Sequence, residues 1–267
     1  MARLIQLNQL PPAEKEEIYR LLVPASVFTR FGINPESGLN RRGEKAVSFE
    51  CAEGGAEASV EVKARPSDPD AIFYIEVRDS RDLIQLHWEF IWIADPEAPR
   101  FGTDLTSSGK DRWLDWSSHN VPEERKAVAA GLAPGQVRRG LRLTGELMAC
   151  LDRFCATVGQ KSIFLEALFY HNAILYERYG FRYFEGEQMM RRIHELFQPG
   201  GKLLDRLNGS AFRKPEFAGT VRGRSWAIHD RVIEEIQDAV LETWEPPKMY
   251  RMVGSRYQVD TFPGGQW

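Results

Sequence analysis

The stretch FLEALFYHNAILYERYGF, residues 164–181, decides how the rest of the chain is read. Its apolar start predicts a buried strand within KSIFLEALF (161–169). Tyr-His-Asn then breaks the run. Asn172 is a natural helix cap, because its side-chain oxygen can accept an unpaired N–H of the first turn. AILYERY (173–179) predicts a short helix, and Gly180 supplies the left-handed residue that closes it. FRYFEG (181–186) predicts a second strand.

Upstream, RRGLRLTGELMACLDRFCATVG (138–159) predicts a helix. Leu143, Leu147, Leu151 and Phe154 recur at three- and four-residue spacing, and Gly159 ends it. Residues 3–7 predict a short strand. PPAEKEEIYRLL (11–22) predicts a helix with prolines at its start and acids at the positive end of its dipole. AVSFECA (46–52) and ASVEVKA (58–64) flank EGGAE, a hairpin signal. AIFYIEVRD (71–79) and LIQLHWEFIWIA (83–94) follow across the turn SRD (80–82). Short links make these four strands an antiparallel meander. On the last of them, Trp88, Phe90 and Trp92 fall on one face, and His87, Glu89, Ile91 and Ile93 on the other.

Residues 95–134 read as a long, turn-rich insertion that ends in the helix PEERKAVAAGL (122–132). Beyond residue 186, EQMMRRIHELF predicts an amphipathic helix and KLLDRL a short helical piece. WAIHDRVIEEIQDAVLETW (226–244) predicts a long helix capped by Ser225, and the last residues predict an irregular tail. The expected architecture is α/β (α+β): a mixed, mostly antiparallel sheet flanked by helices in residues 1–186, then a helical and irregular C-terminal extension, 187–267.

The composition is that of an ordinary globular chain: 267 residues, 43% hydrophobic, 27% charged. A net charge of -3 argues against a general nucleic-acid binder, which carries a basic stripe. The three cysteines show no framework spacing, as expected of a reduced protein. The first residues lack a signal-peptide core, and no apolar run spans a bilayer, so a cytoplasmic location with no membrane partner is the expectation.

The second half of this order, with LYERYGF at its end, resembles the GNAT superfamily of acyl-CoA-dependent N-acetyltransferases. Leu175, Tyr176, Glu177, Arg178, Gly180 and Phe181 match its aliphatic-Tyr-Glu-basic run and Gly-Phe turn. The resemblance covers about residues 83–186 and implies an acetyl-CoA or other acyl-CoA co-substrate. It also implies a small-molecule amine or peptide acceptor, and direct attack of the amine on the thioester. The family's pyrophosphate loop, Arg/Gln-x-x-Gly-x-Gly/Ala, falls on GQVRRGLRLTG (135–145). With Arg139 first, Arg142 and Thr144 stand where small residues are expected. Many members carry an Asn about seven residues before the Tyr, whereas Asn172 stands four before it.

The implied cofactor-binding residues are Gln136, Val137, Arg138, Arg139, Gly140, Leu141, Arg142 and Asn172, and the implied catalytic residues are Tyr176 and Glu89. Tyr176 would protonate the leaving thiolate, and the same pattern fits a core tyrosine. Glu89 would take a proton from the ammonium substrate, and it equally fits a surface ion pair. Glu166, on the neighbouring strand, is a further candidate base. The arginines can hold CoA phosphates or line a solvated turn. His87 and Glu89 share a face, yet no third ligand stands at sensible spacing, so no metal is expected. His171 fits a pocket wall or a bridging role. Trp88 and Trp92 read as core; Trp113 and Trp116, in the insertion, stay open between core and cavity. Two other functional readings remain: a GNAT-like acyl-CoA-binding or interaction protein without transfer activity, and an unrelated α/β enzyme with its site around His119 and His229.

Overall fold

The computed structural model describes residues 3–80, 85–106, 108–110 and 119–267. In chain order the helices and strands are α1 (Leu4–Leu7), α2 (Pro12–Arg20), α3 (Ala25–Phe31), β1 (Val47–Glu50), β2 (Glu57–Val62), β3 (Phe73–Asp79), β4 (Leu86–Ile93) and α4 (Val121–Ala129). They continue with α5 (Thr144–Val158), β5 (Ser162–Glu166), α6 (Tyr170–Arg178), β6 (Arg182–Glu185), α7 (Glu187–Leu196), α8 (Val221–His229) and β7 (Lys248–Met252). The strands form one seven-stranded mixed sheet in the order β1-β2-β3-β4-β5-β7-β6, flanked by helices. The class is therefore α/β (α+β). No helix among the described residues is long and apolar enough to cross a membrane.

The chain divides into two compact units. The first comprises the chain up to Ala98, Gly140–Leu165 and Tyr250–Arg256; the second comprises Pro99–Arg139, Glu166–Met249 and Tyr257–Trp267. The expected boundary at residue 186 does not coincide with this division. Nor is the stretch after 186 only helical and irregular, since it supplies β7.

In the first unit, β1 to β4 pair antiparallel in succession, as the short links imply. Val60, Val62, Phe73, Ile75, Val77 and Leu86 put their apolar side chains into the core, together with Leu147, Leu151 and Phe154 of α5. Tyr19 of α2 stacks on Phe154 at 5.8 Å. Residues 3–7, expected as a strand, form a helical turn. The Asp79 carboxylate at the end of β3 accepts the N–H groups of Leu4 and Ile5, both at 3.1 Å. This satisfies donors that a first turn leaves open, while Leu4 and Leu7, three apart, bury on one face.

α5 starts at Thr144, six residues later than its periodicity suggests. Arg142 has φ +60, a left-handed conformation that a right-handed helix cannot contain. β7 runs into the tail expected to be irregular, and its alternation places a charge inside. Met249 and Arg251 are its buried residues, and Arg251 is neutralised by Asp152 at 2.7 Å.

In the second unit, α6 closes as residues 176–181 predict. Phe181 N–H donates to the Tyr176 carbonyl at 3.1 Å and Gly180 N–H to that of Glu177 at 2.9 Å, with Gly180 at φ +83. This is the paired C-terminal bonding of a Schellman turn. The helix begins at Tyr170, not after Asn172. Asn172 is thus inside the first turn, and its Oδ1 accepts the Phe169 N–H at 3.3 Å.

The long helix expected over 226–244 is instead the nine-residue α8, starting at Val221. Thr220, not Ser225, caps it, through a bond from Gly223 N–H at 3.1 Å. It stops because Arg231 is left-handed at φ +63, and a 3-10 turn follows at Val232–Glu235. The buried Arg213 guanidinium spans the break, bonding the carboxylate and carbonyl of Asp230 and, at 2.6 Å, the Glu235 carboxylate. The periodic apolar residues Val232, Ile233 and Ile236 still bury, so their pattern outlasts the helix.

Described residues at the start of the insertion make specific polar contacts. Phe101 N–H donates to the Val137 carbonyl at 2.8 Å, and Gly102 N–H to the Glu123 carboxylate at 3.0 Å. The SRD turn falls partly outside the described residues, as do Trp113 and Trp116 entirely.

Candidate functional site

Two features of the first unit shape a candidate binding edge on β4. β4 and β5 run parallel but pair at only two positions, Leu86 with Ile163 and His87 with Phe164. Past His87, β4 has no strand pairing with β5 among the described residues. The second feature is a bulge. β3 pairs Glu76 with Phe90 and Val77 with Trp88, so Glu89 is the extra residue between them. A bulge re-aims the side chain that it carries and increases the local twist. It also breaks the simple alternation expected along β4.

The Glu89 carboxylate meets Arg78 Nη2 at 2.6 Å and His87 Nδ1 at 3.4 Å. The His87 hydrogen bond, joined by the charge of Arg78, holds this carboxyl below the usual carboxylate range, against partial burial that opposes it. Glu89 is therefore ionised at neutral pH and only weakly basic. His87 itself stacks on Phe164 at 4.9 Å. Trp88 is buried as expected of a core residue, while Trp92 is half-buried and donates its indole N–H to the Ala71 carbonyl at 2.9 Å.

The loop 136–142 divides by role. Gln136 serves its own turn, its side-chain oxygen accepting Ala133 N–H at 2.8 Å and its carbonyl accepting the Thr103 hydroxyl at 3.1 Å. Val137 and Leu141 are buried, Arg138 is half-buried, and Arg139 and Arg142 are exposed. Gly140 lies against the end of β4: a Cβ there would sit 3.2 Å from the Ile93 carbonyl oxygen. Arg142 occupies the first small-residue position of the resemblance with a glycine-like backbone, φ +60.

Tyr176 lies in the second unit, on α6. It is buried and packs its ring on Phe181 at 5.8 Å. Burial raises its phenol above the ordinary tyrosine value, so it holds its proton at neutral pH. Glu177 is buried too, accepting Thr261 N–H at 3.1 Å, the Thr261 hydroxyl at 2.7 Å and the Tyr183 hydroxyl. This residue ties the C-terminal segment to α6. Asn172 is engaged in the first turn of α6, and Glu166 is an exposed residue at the end of β5. His171 is buried and bonded to the Ser225 hydroxyl at 2.9 Å, a bridging role, with burial pushing its pKa down to about 3.

The sequence pointed to His119 and His229 but missed the residue that joins them. Both meet Glu124, an acid in the first turn of α4 that reads as a dipole-favoured helix start. No protein-family model, curated protein or solved structure matches this chain.

Proposed function

We propose that this chain is an acyl-CoA-dependent N-acyltransferase that holds the acyl-CoA along β4 and the turn leading into α5. The observation that carries this reading is the early parting of β4 and β5, beside a bulge at Glu89. The pantetheine arm is an extended chain of amides, suited to run along a strand edge. The exposed Arg139 and Arg142 and the left-handed turn before α5 suit the pyrophosphate: backbone N–H groups at a helix start and guanidinium groups both favour phosphate.

The amine nitrogen would attack the thioester carbon, and the carbon–sulfur bond would break. The resemblance assigns the thiolate's proton to Tyr176 and the amine's proton to Glu89, directly or through water. A phenol that retains its proton at neutral pH suits the first role. A carboxylate already engaged by Arg78 suits the second poorly, and this favours one rival reading, an acyl-CoA-binding protein without transfer.

An assay of free thiol released from acetyl-CoA, run over a panel of small amines and peptides, separates the two. Transfer predicts release that depends on the amine and falls roughly 100-fold in Tyr176→Phe, the lower end of a general acid's contribution. Bound acyl-CoA with no amine-dependent release leaves the binding reading. An unchanged rate in Tyr176→Phe removes that residue's role.

A further inference from the structure

We propose that His119, Glu124 and His229 form a binding site for a divalent transition-metal ion of the zinc class. His119 and Glu124 are five residues apart, and His229 comes from a distant part of the same unit. His119 immediately precedes Asn120, the residue before α4; Glu124 is on α4; His229 is the last residue of α8. One ligand atom from each lies within 4.8 Å of the others. His119 Nδ1 is 3.2 Å from one Glu124 oxygen, and His229 Nε2 is 3.2 Å from the other. The imidazole rings meet edge to face at 4.6 Å.

With the two imidazoles on opposite oxygens of one carboxylate, the three side chains present their ligand atoms to a common space. The donor set agrees as well, since two imidazoles and one carboxylate suit zinc and its neighbours in the first transition row.

Burial gives the ion a physical purpose. The Glu124 side chain is only 3% exposed, and His229 is 12% exposed. Phe169 and Trp226 set their rings edge-on to His229, at 5.8 and 5.6 Å. A carboxylate in such surroundings calls for a compensating positive charge, which a bound dication supplies. His119, 26% exposed, leaves one side accessible. Three protein ligands with an open side are the arrangement of zinc sites that keep a water or substrate in the fourth position.

The test is metal uptake by the full chain after chelator treatment, titrated with zinc and with cobalt(II) as the coloured probe. We expect one equivalent of either ion, with cobalt bands of a four- or five-coordinate site, and a rise in melting temperature with zinc. His119→Ala, at the accessible edge, should keep the fold by circular dichroism and weaken uptake by at least about tenfold; Glu124→Gln should do the same. His87→Ala should leave uptake unchanged. No uptake of either ion by the wild-type chain overturns the proposal, as does uptake unaltered in a folded His119→Ala.

Discussion

Glu177→Ala lowers the stability of the protein by about 3 kcal/mol or more, the cost of leaving three buried donors without their acceptor. The carboxylate gathers Thr261 N–H, the Thr261 hydroxyl and the Tyr183 hydroxyl in a buried position. Alanine leaves these donors without their acceptor, and an unsatisfied buried donor costs about 1–3 kcal/mol. For a chain of this size, thermal unfolding should show a fall of roughly ten degrees. Glu177→Gln keeps the shape and one acceptor oxygen, so it should lose less. A melting temperature unchanged in Glu177→Ala would show that the residue is not the anchor described.

The pH dependence has a defined sign. Burial raises the Glu177 carboxyl above its ordinary value, and the donated hydrogen bonds oppose that shift without cancelling it. The folded state therefore keeps this proton to higher pH than the unfolded state. Stability linked to Glu177 is fully present below the unfolded carboxylate pKa and falls as pH rises through the raised folded value. Denaturant titrations across that window should show a decline in wild type that Glu177→Gln lacks.

Trp226→Ala should cost about 3–5 kcal/mol, as for a large aromatic removed from a packed core. Trp226 is 2% exposed and stacks on Phe212 at 5.4 Å, in a cluster with Ala127 and Leu132. Its indole N–H donates to the Leu132 carbonyl at 2.7 Å. The substitution removes the ring and leaves that carbonyl unpaired. Trp226→Phe restores most of the packing but not the bond, so it should cost less, about 1–3 kcal/mol. The cluster joins α4 to α8, the elements that carry Glu124 and His229. Trp226→Ala should thus also weaken zinc uptake. Equal melting temperatures for wild type and Trp226→Ala would contradict this packing.

The elements legible in the sequence are those whose reasons are local. The meander of β1 to β4 follows from alternation and short turns, and the end of α6 follows from Gly180. Elements set by distant partners were not legible. Residues 4–7 become helical because Asp79, far along the chain, accepts their N–H groups. β7 hides because Arg251 is neutralised in the core by Asp152. α8 ends early at the left-handed Arg231, with Arg213 bridging the break.

The same distinction holds for the candidate sites. Glu89 was visible as an acid on a central strand, but the bulge that re-aims it and the contact with Arg78 depend on β3. Glu124 was not singled out, because nothing near it in sequence announces His229. Arg142 stands where the resemblance expects a small residue, and its left-handed backbone, φ +60, was not legible from its residue type.

The most direct measurement is a calorimetric titration of the full chain with acetyl-CoA and with a longer acyl-CoA. Acyl-CoA recognition by β4 and the loop before α5 predicts saturable one-to-one binding. Arg139→Ala should weaken it by about tenfold or more, the loss of a charged hydrogen bond. Arg142→Gly should retain the turn, because glycine adopts φ +60 without strain. Absence of binding by both CoA esters would contradict the proposed function.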